Sequence, residues 1–134
     1  MNIQLADIWT VTGVVMGFQV TSCAWRISRE VKVGQTGDLT WLPPADILNL
    51  ASMVVAAFGV FILPLLGLVD LNYTGKLLGL ALLLFVGYPF ALAGHYDMYK
   101  NKTPRSYQYF PLQEKIVVIF VIVVAVVYVI LAFA

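Results

Sequence analysis

His95-Tyr96-Asp97 is where this sequence sets a base and a carboxylate two positions apart at the edge of an apolar run. A histidine there can shuttle a proton or bind a metal, and a nearby carboxylate can orient it. Neighbouring positions on a helix point in different directions, so the two side chains converge only if the helix has already ended. The expected role is therefore a polar cap at a membrane interface. Lys100, Lys102 and Arg105 follow, with Tyr107, Tyr109 and Phe110 close behind. That mixture suits lipid headgroups, a partner protein or simple anchoring. His95, Asp97, Lys100, Lys102 and Arg105 together form the candidate interfacial site. A single histidine cannot ligate haem in pairs within one chain, and the single cysteine, Cys23, offers neither a disulfide nor metal-ligand spacing. No phosphate-cradling glycine loop, zinc pattern or nucleophile elbow is present. No catalytic residue, metal or cofactor is expected.

A second candidate lies inside the apolar runs. Gln19 is the most polar residue well within any of them, and its amide must find a partner other than lipid tails. Asn49 and Ser52 are one turn apart at the start of the next run. The three suit either an interhelical hydrogen bond or a polar pathway for a solute.

These residues sit in a chain built for a bilayer. Of its 134 residues 61% are hydrophobic and 11% charged, with mean hydropathy +0.90. Soluble domains carry about 25% charged residues. Four apolar runs, roughly 8–25, 47–69, 77–94 and 116–134, are each long enough to cross a hydrocarbon core of about 30 Å. The fold class is all-α: a single domain over 1–134 of four transmembrane helices. Too few residues lie outside the runs for a separate soluble domain. No Lys or Arg precedes the first run, so it reads as a retained span rather than a cleaved signal.

Seven of the eight basic residues fall in two loops. Arg26, Arg29 and Lys32 lie between the first and second runs. Lys100, Lys102, Arg105 and Lys115 lie between the third and fourth, and only Lys76 lies in the remaining turn. Positive charge resists translocation, so loops 26–46 and 95–115 are expected to be cytoplasmic, with both termini on the opposite side. Arg26, Arg29 and Lys32 would meet anionic headgroups, tempered by Glu30 and Asp38. Spread over short loops, these charges do not suggest nucleic acid.

Packing faces can be read from small residues. Thr10, Gly13, Gly17 and Thr21 share one face of the first helix, where glycine lets another helix approach closely. Ser52, Ala56 and Gly59 make a similar stripe on the second. Pro64 should free a backbone carbonyl there, and Asp46 stands in the first turn, where the helix dipole favours negative charge. Gly87-Tyr88-Pro89 predicts a kink in the third helix. The expected packing residues are thus Gly13, Gly17, Thr21, Ser52, Gly59 and Gly87. The halves also show a faint likeness. Trp41-Leu42-Pro43 precedes Asp46 as Tyr109-Phe110-Pro111 precedes Glu114. This suggests two helical hairpins running the same way across the membrane.

Three functions fit. A structural or accessory subunit, packing against itself or other membrane subunits within the bilayer, is supported by the glycine faces and the uncharged spans. A small-solute channel or transporter working as an oligomer would use Gln19, Asn49 and Ser52. An enzyme at the cytoplasmic interface would use His95 and Asp97. Ionisable residues within spans mark proton relays, and the lack of one argues against proton coupling. Catalysis needs a convergent acid and base, and no such pair is evident.

Overall fold

A computed structural model describes residues 4–38, 40–96, 98–99 and 108–134. Among them the chain is helical and without strands. Helix α1 spans Leu5–Gln35 and α2 spans Pro44–Leu65. Helix α3 spans Leu71–His95 and α4 spans Leu112–Phe133.

Helices α2, α3 and α4 are long and apolar enough to cross a membrane, which marks the chain as a membrane protein. Helix α1 is longer, but Thr10, Thr12, Gln19, Thr21 and Ser22 dilute its apolar stretch. Its polar positions are not spread evenly. Thr12, Gln19 and Arg26 recur every seven residues, so they share one face, and all three are buried against the other helices. Val11, Val14 and Phe18 face outward instead. Between Val11 and Val20 the helix thus turns Thr12 and Gln19 inward and large apolar side chains outward.

The helix ends explain the bounds. Helix α1 continues past the expected end at Trp25 because no proline or left-handed glycine interrupts it before Gly37, whose φ is 86°. Helices α2 and α4 each start one residue after a proline at the N-cap, Pro43 and Pro111. In α2 a second proline, Pro44, takes the first helical position, where its φ is already helical and its missing N–H costs nothing. Asp70 caps α3 by accepting from the Tyr73 N–H at 2.8 Å. Helix α2 closes at Gly67, whose φ of 68° lets its N–H and that of Leu68 return to the carbonyls of Pro64 and Leu63.

Pro64 disturbs α2 as the sequence implies. Its ring excludes the carbonyl four residues back, that of Val60. The backbone widens into a π-helix over Val55–Ile62. The released Val60 carbonyl accepts from the Trp9 indole N–H of α1 at 2.8 Å. Helix α3 runs unbroken through Pro89.

The core lies chiefly between α2, α3 and α4, around Ala45, Leu48, Tyr88, Ala91, Val118 and Val121. Glycines of α3 let α4 approach. A Cβ on Gly87 would stand 2.5 Å from a Val121 methyl, and one on Gly94 would stand 2.8 Å from the Glu114 backbone nitrogen. Gly79 likewise seats the Tyr128 ring. Gly79, Gly87 and Gly94 are thus sockets that hold α4.

Candidate functional site

The end of the bundle where α1 and α3 finish and α2 and α4 begin is rich in buried ionisable groups. Arg26, Asp46 and His95 are each less than a tenth exposed, and Glu114 is wholly buried. Each helix contributes one of the four.

Arg26 ends the polar face of α1. Its Nε donates to Asp46 Oδ2 at 3.1 Å, and Nη1 donates to the Tyr96 hydroxyl. Glu30, one turn further on, lies 3.4 Å from Nη2. Arg29 stacks over the Tyr96 ring, 4.3 Å from its centroid. The Tyr88 hydroxyl lies within reach of the same Asp46 carboxylate. The expectation that Arg26 meets headgroups is therefore corrected. It turns inward because Asp46, held by the Pro43 start of α2, offers a buried partner. Asp46 accordingly does more than complement a helix dipole.

Glu114 bridges three helices. Oε2 lies 2.8 Å from His95 Nδ1, and Oε1 accepts from the Ala45 backbone N–H at 2.7 Å. Ala45 is in the first turn of α2, where amide groups have no partner within the helix. Proline at the N-cap has no side-chain oxygen to serve them. Glu114 supplies that missing cap from α4. Its approach depends on Gly94, since a side chain there would strike the start of α4.

His95 is thus not an exposed polar cap, and its partner is Glu114. Burial beside Gly94 and the first turn of α4 turns its ring inward. Asp97, Lys100, Lys102 and Arg105 lie outside the described residues. An acid and a base do converge here, which the sequence did not reveal. At 4% and 0% exposure the pair is enclosed in the bundle, where it joins the end of α3 to the start of α4.

The two pairs share one layout on the acidic side. His95 is the last residue of α3, whereas Arg26 stands nine residues before the end of α1. Asp46 and Glu114 stand third in the helices that follow, each after a proline N-cap.

Nearer the middle of α1, Gln19, Asn49 and Ser52 do come together. Gln19 Nε2 donates to Ser52 Oγ at 2.5 Å, and that hydroxyl donates to the Ala81 carbonyl at 2.5 Å. Asn49 Nδ2 donates to the Gln19 carbonyl at 3.2 Å. Gln19 Oε1 and Asn49 Oδ1 are buried without a hydrogen-bond partner among the described residues. An unsatisfied buried acceptor costs about 1–3 kcal/mol, so the two form a small centre able to accept a hydrogen-bond donor.

The expected packing residues divide into two sets. Ser52, Gly59 and Gly87 are buried inside the bundle. Gly13, Gly17 and Thr21 are exposed, and nothing stands within 4 Å of a Cβ placed on either glycine. Among the described residues, no group of three or more His, Cys, Asp or Glu side chains converges as a metal site. The chain matches no protein-family model, no curated protein and no solved structure.

Proposed function

We propose that this chain is a four-span membrane protein that serves as a structural or accessory subunit, joining other helices through the outer face of α1. The observation that carries this reading is a contrast among glycines. Gly59, Gly79, Gly87 and Gly94 each seat a neighbouring residue of the same chain, whereas Gly13 and Gly17 seat none. Glycine inside a helix costs roughly 0.5–1 kcal/mol relative to alanine. Close approach of a further helix is what offsets that cost in a membrane.

Helix α1 is read as the fourth crossing because its polar side chains are turned inward and its lipid side is apolar. The basic loop residues favour cytoplasmic 26–46 and 95–115 segments, with both termini opposite. The matched Arg26–Asp46 and His95–Glu114 pairs support a duplicated hairpin. Gly13→Leu and Gly17→Leu test the main reading. Each should leave the single chain folded and lower the mass of the assembly purified in mild detergent. An unchanged mass for both would refute it.

The second reading is a small-solute channel or transporter. It is favoured by the unpartnered acceptors of Gln19 and Asn49, and by ionisable groups buried at the end of the same bundle. For this reading, Gln19→Leu should abolish flux in liposomes while assembly persists.

A further inference from the structure

Helix α1 is joined to the bundle differently from the way the other three helices are joined to one another. The hydrophobic core is built from α2, α3 and α4. Among the described residues Ile8 is the only apolar side chain that α1 buries, and the others it buries are Thr12, Gln19 and Arg26. Hydrogen bonds cross the seam along its length. Trp9 Nε1 donates to the Val60 carbonyl at 2.8 Å, and Gln19 Nε2 donates to Ser52 Oγ at 2.5 Å. Asn49 Nδ2 donates to the Gln19 carbonyl at 3.2 Å, and Arg26 Nε to Asp46 Oδ2 at 3.1 Å.

Those bonds leave the seam incompletely satisfied. Among the described residues four buried polar side-chain atoms have no hydrogen bond, and three of them lie here: Gln19 Oε1, Asn49 Oδ1 and Arg26 Nη2. Wetting therefore acts oppositely on the two kinds of contact. Between α2, α3 and α4 it exposes apolar surface with no return. Along the α1 seam, water replaces each hydrogen bond that is lost and also serves the atoms that had none, so little net free energy opposes opening. Water enters at the end where Arg26 meets Asp46 and Glu30. Ser52 lies six residues further along α2 than Asp46. That is about 9 Å, or roughly a third of a hydrocarbon core of about 30 Å. There the wettable part of the seam ends. The next residues that α2 buries, Ala56, Gly59 and Val60, have no polar side chain. On the α1 side the Thr12 hydroxyl is spent on the Ile8 carbonyl of its own helix.

We infer that α1 parts from the three-helix core along this seam and opens a water-filled cleft. The cleft begins at Arg26 and Asp46 and ends at Gln19, Asn49 and Ser52. The Arg26–Asp46 pair is its latch, because it is the outermost of the contacts that α1 must release to open it. The amide oxygens of Gln19 and Asn49 form its inner end, where water donates to them. This inference needs neither a partner on the outer face of α1 nor a transported solute.

The test compares single cysteines in a Cys23→Ala background, labelled by a charged methanethiosulfonate in membranes opened by freeze–thawing. Asn49→Cys and Ser52→Cys probe the cleft, while Ala91→Cys and Val118→Cys probe the core. All four native residues are buried, and each lies within two turns of Asp46, His95 or Glu114, so depth is matched. The cleft positions should react roughly tenfold faster than the core positions. Arg26→Leu with Asp46→Leu replaces the polar latch by an apolar contact and should slow Ser52→Cys to the core rate. Hydrogen exchange on the unaltered chain guards against a cysteine variant that misfolds. Amides around Gln19 should exchange roughly tenfold faster than those around Leu83, which is likewise in mid-helix. Equal labelling at cleft and core positions, fast or slow, would overturn the cleft. Equal protection of the two helices would overturn it as well.

Discussion

Glu114→Ala is the sharpest probe of how this bundle is held. The substitution removes the acceptor of the Ala45 N–H and the partner of His95 Nδ1, and both groups stay buried. Each stranded buried group costs about 1–3 kcal/mol, so the loss should be about 2–6 kcal/mol before any cavity is counted. Glu114→Gln is the informative companion. Its carbonyl oxygen can still accept from Ala45, and its amide can donate to a His95 tautomer that accepts at Nδ1. It should cost about 1 kcal/mol, close to a single exchanged hydrogen bond. Unfolding by SDS titration in mixed lipid–detergent micelles, read through tryptophan fluorescence, would give both values. A double-mutant cycle with His95→Ala should return a clear coupling energy, because the two residues share one contact. The reasoning fails if alanine and glutamine variants are equally stable, or if both lie within about 1 kcal/mol of the parent.

Arg26→Leu should destabilise by about 3–5 kcal/mol by stranding Asp46, and adding Asp46→Leu should recover much of that loss; the same unfolding assay checks both. Gly94→Ala must push the start of α4 away, at about 1–3 kcal/mol or more. Gly75→Ala meets only an Ile8 methyl at 3.9 Å and should be neutral or slightly stabilising; a larger effect at Gly75 would contradict the socket assignment. Trp9→Phe keeps the ring but removes the donor to the Val60 carbonyl, and should cost about 1–3 kcal/mol, with faster amide exchange in the π-helical part of α2 as its local sign.

Several features could be read from the sequence because they are local. The apolar runs placed α2, α3 and α4, and Pro64 announced a freed carbonyl. What stayed hidden was pairing across loops. Arg26 and Asp46 are 20 residues apart, and His95 and Glu114 are 19 apart. A basic residue at a helix end looks the same in sequence whether it turns to headgroups or to a buried carboxylate. The available signal was the shared pattern of proline, two residues and an acid in Pro43–Asp46 and Pro111–Glu114. Proline at an N-cap leaves amide donors uncapped, and an acid in the following turn is well placed to meet charge at a neighbouring helix end. Glycine was ambiguous for a different reason. A missing side chain can mark a break, a socket for the same chain or an open face, and only the neighbours at Gly79, Gly87 and Gly94 separate these from Gly13 and Gly17.

The cap that Glu114 places on α2 has a consequence for synthesis. The chain leaves the ribosome from its N-terminus, so α1 and α2 are made and can exchange the Arg26–Asp46 pair while Glu114 is still untranslated. During that interval the Ala45 amide has only water or lipid headgroups to satisfy it, which holds the start of α2 near the membrane surface. Arrival of α4 replaces those contacts and ties the start of α2 to α3 and α4. A segment translated later thus completes the start of the second helix, and a ribosome stalled before Glu114 would hold α1 and α2 paired but not yet locked.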